Sequence, residues 1–173
     1  GFVANFISGS VWIRWKWIIY YKINSIFKNQ KKIFIDINQK NILKIENNRQ
    51  NILDFQKEEQ IPFKHVVPFE KATAYVLYDN KRFRSEIRLK GDWTDHLLGD
   101  KWSFRLKTKK GMTLFGMNEF SLQHPRTRNY VNEYMYHQFL KKEGLPYLRY
   151  KFITLRINGK NLGSYAVSST AYE

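Results

Sequence analysis

Three observations predict an α+β fold, in which one or two helices pack on an antiparallel β-sheet. From Ala72 onward, runs of apolar residues alternate with polar ones in period two. Two other stretches, Gln39 to Lys57 and Asn129 to Lys142, carry apolar residues near helical spacing. Turn-forming residues such as Asp79-Asn80-Lys81 and Asn158-Gly159 separate the strand-like runs. The 173 residues are 43% hydrophobic and 17% aromatic, enough to bury one ordinary core, which excludes wholesale disorder.

Residues 1–32 form the first segment, where Trp12, Trp15, Trp17, Tyr20 and Tyr21 sit among Arg14, Lys16 and Lys22. Its longest uncharged run, Phe2 to Ile13, is shorter than the roughly 20 residues a membrane-crossing helix needs. Rings and cations interleaved in this way suit a membrane interface, so residues 1–27 are expected to form an aromatic and basic helix that touches a membrane or ends a longer anchor. The competing expectation is a helix packed on the domain.

Residues 33–68 read as strand, helix and linker. Ile33 to Ile37 is a short β-branched strand, and Asn38 is a helix N-cap. A helix follows with Ile42, Ile45, Ile52 and Leu53 on one side, and Glu58 to Pro68 is a polar linker with two prolines. Residues 69–167 are the β-rich part. Ala72 to Tyr78 and Phe83 to Lys90 make a hairpin, and a third strand starts at Lys101, with Trp102, Phe104 and Leu106 inward and Lys101, Arg105 and Lys107 outward. The helix from Asn129 is expected to bury Val131, Met135, Tyr136 and Phe139 and to end at Gly144 and Pro146. Tyr150 to Ile157 and Leu162 to Val167 form a closing hairpin through Asn158-Gly159. Residues 168–173 are an atypical end.

Thirty Lys and Arg against fifteen Asp and Glu leave a formal charge of +15, which favours anionic partners without choosing among them. The absence of cysteine excludes disulfides, thiol catalysis and thiolate metal sites, and His65, His96, His124 and His137 lack metal-ligand spacing. The row Lys101, Arg105 and Lys107 is the sharpest chemical feature, beside a loop with Gly91 and Gly99 at its ends. Backbone N–H groups there can approach a phosphate while the cations neutralise it, although a solvated strand guarded by lysines has the same pattern. Asp92, Asp95 and His96 read as turn-forming residues rather than catalysts. Glu133, on the helix after the Lys-bearing strand, is a candidate partner for Lys101, as in kinases where a helix glutamate orients a phosphate-binding lysine; a surface glutamate has the same pattern.

Taken in order, Arg88-Leu89-Lys90-Gly91-Asp92-Trp93, Lys101-Trp102-Ser103-Phe104-Arg105, Phe120 to Arg128, Ile157-Asn158-Gly159 and Gly163-Ser164-Tyr165-Ala166 resemble the N-terminal part of the CotH kinase family. The resemblance implies the N-terminal lobe of a kinase-like fold that transfers phosphate from ATP to protein serines with Mg²⁺, in bacterial spore coats and envelope-associated proteins. It implies that Lys101, Arg105 and Lys107 contact nucleotide phosphates with Glu133 as helix partner, and that Arg88, Lys90, Gly91, Asp92, Trp93, Asn158, Gly159, Gly163 and Tyr165 are family positions. ATP and a coat or envelope protein are the implied partners, and the cell envelope or a membrane surface the implied location, with the cytoplasm as the other. The family usually continues with glutamates and a second half bearing metal-binding aspartates, whereas Ser168 to Glu173 departs from that pattern. No catalytic or metal-binding residue is therefore expected in this chain, which reads as a fragment, a truncated product or a degenerate relative, inactive alone. Two alternatives are a non-enzymatic basic module for anionic membrane or nucleic acid, the latter without a supporting motif, and an envelope or coat structural protein.

Overall fold

A computed structural model describes residues 30–59, 67–109 and 111–172. The expected membrane-facing helix of residues 1–27 and most of the Glu58 to Pro68 linker lie outside the described residues. Lys31–Glu173 forms one compact unit. Its elements are β1 (Lys31–Asp36), α1 (Gln39–Glu59), β2 (Ala72–Tyr78), β3 (Lys81–Leu89), β4 (Phe104–Thr108), β5 (Glu119–Gln123), α2 (Asn132–Lys142), β6 (Tyr150–Ile157) and β7 (Lys160–Ser169). Short 3₁₀ turns occur at Thr94–His96 and Pro125–Arg128.

The α+β class holds, but the sheet is not open. Its strands close into a barrel in the order β1-β2-β3-β4-β5-β7-β6. Closure depends on β1, which runs antiparallel to β2 (Ile35↔Val76) and parallel to β6 (Ile33↔Leu155). Period-two alternation shows which face of a strand is buried, not which distant strand lies beside it, so the parallel seam has no local signature. Ile33, Ile35, Val76, Ile87, Leu106, Phe120, Leu122, Leu155 and Val167 fill the interior with no exposed area. Each such side chain contributes about 1.5–3 kcal/mol of burial free energy.

The Asn38 cap is present, its Oδ1 accepting from Asn41 N at 2.8 Å. From it α1 runs with Ile45 and Ile52 buried, one above the other at i and i+7. Between them Asn48 is 2% exposed and is satisfied on both sides: its Nδ2 donates to Pro68 O at 2.9 Å and its Oδ1 accepts from Glu70 N at 3.1 Å. Arg49 donates to Leu97 O at 2.8 Å and lies over the Trp102 ring at 4.7 Å, so α1 also fastens the loop between β3 and β4.

Three local expectations change. The third strand starts at Phe104, because Ser103 is drawn into the loop, its N–H donating to His96 O at 2.8 Å and its Oγ meeting His96 Nδ1 at 2.9 Å. Glu119–Gln123 is a strand that alternation over five residues did not reveal. Finally, Met135, Tyr136 and Phe139 are exposed (57%, 59% and 57%), while Val131 is half-buried at the N-cap of α2. The helix turns Tyr134 and His137 inward against the outward rings Tyr150 and Phe152 of β6. His137 is held there as Nδ1 accepts from Leu148 N at 3.2 Å. With rings on both sides of the helix, spacing alone does not decide which face packs.

Candidate functional site

In β3 the odd positions Phe83, Ser85, Ile87 and Leu89 face the barrel interior, which sends Arg84, Glu86, Arg88 and then Lys90 to the outside. Register carries this face across the sheet. Arg88 pairs with Arg105, Arg105 with Ser121, Ser121 with Ser168, and Ser168 with Tyr150. Although outward, Ser121, Gln123, Ser168 and Tyr150 are nearly inaccessible (1%, 1%, 3% and 4% exposed). The face is therefore a buried polar floor with cations around it.

Directly opposed arginines repel. Arg105 is steadied by Glu119 at 3.7 Å, while Arg88 lies over the Phe69 ring at 5.2 Å and donates to Leu89 O at 3.1 Å. Burial, and next the Arg105 charge, lower the proton affinity of Arg88. Lys90 donates from Nζ to Gln123 Oε1 at 3.0 Å. Burial lowers its pKa to about 8, helped by the charges of Arg105 and Arg128 and opposed by Glu133 and Asp92. Glu133, in the first turn of α2, lies 3.6 Å from Arg128 Nε. It also faces the Tyr150 hydroxyl, whose ionisation is suppressed first by burial and then by this carboxylate. Arg105 Nε, Glu133 Oε2 and the Tyr150 hydroxyl are buried without a well-formed hydrogen bond among the described residues. Four cations and the buried, unpartnered Arg105 Nε are what a multiply charged oxyanion would satisfy, while the two glutamates offset part of the cationic charge.

The four candidate phosphate-contact residues fall in three places. Arg105 and Glu133 share the surroundings of Lys90. Lys107 sits one residue row along β4, 3.9 Å from Glu119. Lys101 stands apart, its Nζ 3.4 Å from where a Cβ on Gly163 would lie, and it lines a cavity of about 350 Å³ with His124 and Arg126. His124 Nδ1 accepts from Arg126 N at 3.0 Å, which leaves the proton on Nε2. Its pKa is lowered by burial, then by Lys101 and Arg126. The lysine whose charge responds to Glu133 is thus Lys90.

The motif residues divide between chemistry and scaffold. Arg88 and Lys90 enter the cation face. Gly91 has φ +145°, and a Cβ there would stand 2.6 Å from His96 Cβ, so glycine is what lets the loop close on the buried histidine. Asp92 contributes charge to Lys90, and Trp93 is 51% exposed. Asn158, at φ +48° in the hairpin turn before Gly159, accepts from Ile37 N at 2.7 Å and donates to Ile37 O at 2.9 Å, tying β1 to β6. Tyr165 is fully buried and donates to Trp102 O at 3.0 Å.

A small closed barrel with a buried polar floor and a convergent set of cations defines the class of site. The family described as CotH kinase protein matches residues 87–170, just under half of the chain, so over that stretch the protein is CotH-like. The match takes in the end of β3 and everything from β4 to β7, and it bears out the resemblance carried by the motifs. No curated protein matches the chain.

Arg128, Gln123, Ser121 and Tyr150 were not among the candidate residues. Polar Glu119, Ser121 and Gln123 alternating with Phe120 and Leu122 was the available signal for two of these residues, Ser121 and Gln123, and it is too short to stand out.

Proposed function

We propose that the outer face of β3, β4 and β5 binds the phosphate groups of ATP in a CotH-like protein kinase acting on protein serines. The observation that carries the reading is the convergence of Arg88, Lys90, Arg105 and Arg128 over buried Gln123 and Ser121, with Glu119 and Glu133 as their acidic counterparts. Arginines offer forked donors to phosphate oxygens, and Lys90 supplies a compact charge between them. The unpartnered Arg105 Nε is a further donor for the same oxygens. Glu133, from α2, keeps Arg128 turned toward the cluster. Among the described residues no three His, Asp or Glu side chains group to hold a metal. The role of this face is to hold and neutralise phosphate.

Binding of ATP or tripolyphosphate, measured by titration calorimetry, tests this. Lys90→Gln is expected to weaken binding by about tenfold or more, in keeping with about 1.5–3 kcal/mol for a charged hydrogen bond. The pH dependence has a definite sign. An anion binds the protonated amine, so affinity is level from above the terminal phosphate's own pKa of about 6 up to pH about 8 and falls as Lys90 deprotonates above it. Lys90→Gln should flatten that fall. Equal affinity in wild type and Lys90→Gln at pH 7 rejects the reading.

A further inference from the structure

A second basic cavity, of about 470 Å³, opens on the same side of the barrel, where α1 meets β2, β3 and β4. Asn41, Lys71, Thr73, Arg84, Lys107 and Lys109 line it together with Glu86. Most of its lining residues, Asn41, Lys71, Thr73, Arg84 and Glu86 among them, precede the stretch matched by the CotH family. Its cations are unequally engaged. Lys71 is paired with Glu86 at 3.0 Å, and Lys107 reaches Glu119 only at 3.9 Å. Arg84 touches the Thr73 hydroxyl at 3.4 Å, and neither Arg84 nor Lys109 forms an ion pair among the described residues. An arginine fork, a lysine and a hydroxyl around one hollow are the groups that recognise a phosphate monoester.

The lining also discriminates among phosphate carriers. Ala72 is its one apolar residue and it contains no aromatic ring, so a nucleotide base would find no slot beside the phosphate. Because the barrel is closed, there is no free strand edge along this face for a peptide to pair with, and recognition has to come from side chains. Along β3, Arg84 and Lys90 are separated by six residues, on the order of 20 Å at about 3.3 Å per residue. An extended peptide of about six residues spans that length.

We propose that this cavity binds a phosphoserine on the polypeptide substrate, holding a segment that already carries one phosphate while a serine about four to six residues away approaches the Lys90 face. The assignment to a substrate rests on the kinase reading above; the phosphate-binding cavity itself does not. It makes the protein selective for acceptors already phosphorylated nearby.

Fluorescence anisotropy of the full chain with a short labelled peptide tests it, using phosphoserine, serine and glutamate versions. The phosphoserine peptide should bind saturably, with the other two at least about tenfold weaker. Arg84→Ala combined with Lys109→Ala should remove about that same factor without moving the melting temperature, and Lys90→Gln should leave peptide affinity intact. Equal binding of the glutamate peptide would reduce the cavity to a general basic patch and overturn the proposal. So would an unaffected double variant, or competition by ATP that persists in Lys90→Gln. The two readings fail separately. ATP binding indifferent to Lys90, with peptide binding still dependent on Arg84 and Lys109, removes the ATP face and keeps the cavity; the reverse result removes the cavity alone.

Discussion

Gly91 illustrates how a single residue can belong to a functional motif for a structural reason. Its φ of +145° is open to glycine and strained for other residues, and a Cβ would meet His96 at 2.6 Å. His96 cannot retreat, because its backbone O accepts from Ser103 N and its ring meets the Ser103 hydroxyl. Burial lowers the pKa of that ring, in keeping with a neutral imidazole. Gly91→Ala is therefore expected to cost about 2–4 kcal/mol, combining backbone strain and overpacking. Gly99→Ala, at φ +68° with open space around it, should cost about 1–2 kcal/mol from strain alone. Urea denaturation of both variants checks the difference, and equal losses would mean that His96 yields. The consequence for the site is direct: Lys90 is the residue before this glycine, so a displaced loop moves the amine off Gln123.

At the scale of elements, legibility followed locality. The β2–β3 and β6–β7 hairpins were readable because each is joined by two residues at positive φ, Asp79-Asn80 and Asn158-Gly159, and each pairs with its neighbour in sequence. Strand β5 was not, since five residues give too few alternations, and with it went the buried floor of the site. The cations were visible as residues, but their grouping was not. Lys101 and Arg105 are four apart and share a strand face by alternation alone, yet the Ser103 N–H leaves the ladder for His96 O, and Lys101 ends beside Gly163. Helix α2 shows the same ambiguity for a different reason, having rings on two faces. Its true packing face makes a prediction about stability. Phe139→Ser, at a 57% exposed position, should change stability by less than about 0.5 kcal/mol and raise solubility. Tyr134→Ser should cost about 2 kcal/mol or more, because Tyr134 packs against Tyr150 and Phe152 with ring centroids 6.4 and 5.5 Å away. Thermal melts of the two variants decide it, and the reverse order would restore the face expected from spacing.

For the whole molecule, the family-matched stretch and the folding unit are different things. Residues 87–170 contain the end of β3, then β4 to β7 and α2, and hence nearly all of the cation face. They leave out β1, β2 and α1, whose Ile33, Ile35, Ile45, Ile52, Ala74 and Val76 are fully or almost fully buried in the same core as Leu106, Phe120 and Leu155. Removing those elements would leave β6 without its parallel neighbour β1 and the remnant of β3 without β2. Two sheet edges would open, and the interior of the barrel would face water on that side. Loss of even three buried isoleucines costs on the order of 5–9 kcal/mol, comparable to the whole stability of a domain this size. A polypeptide of residues 87–173 is therefore expected to remain unfolded or to aggregate, with little dispersion in its amide NMR spectrum. One of residues 30–173 should give a dispersed spectrum and a cooperative melt. A folded 87–173 polypeptide would mean that β1, β2 and α1 are an addition to the barrel; an unfolded one would mean that Arg88, Lys90, Arg105 and Arg128 converge only because strands outside the matched stretch close the barrel beneath them.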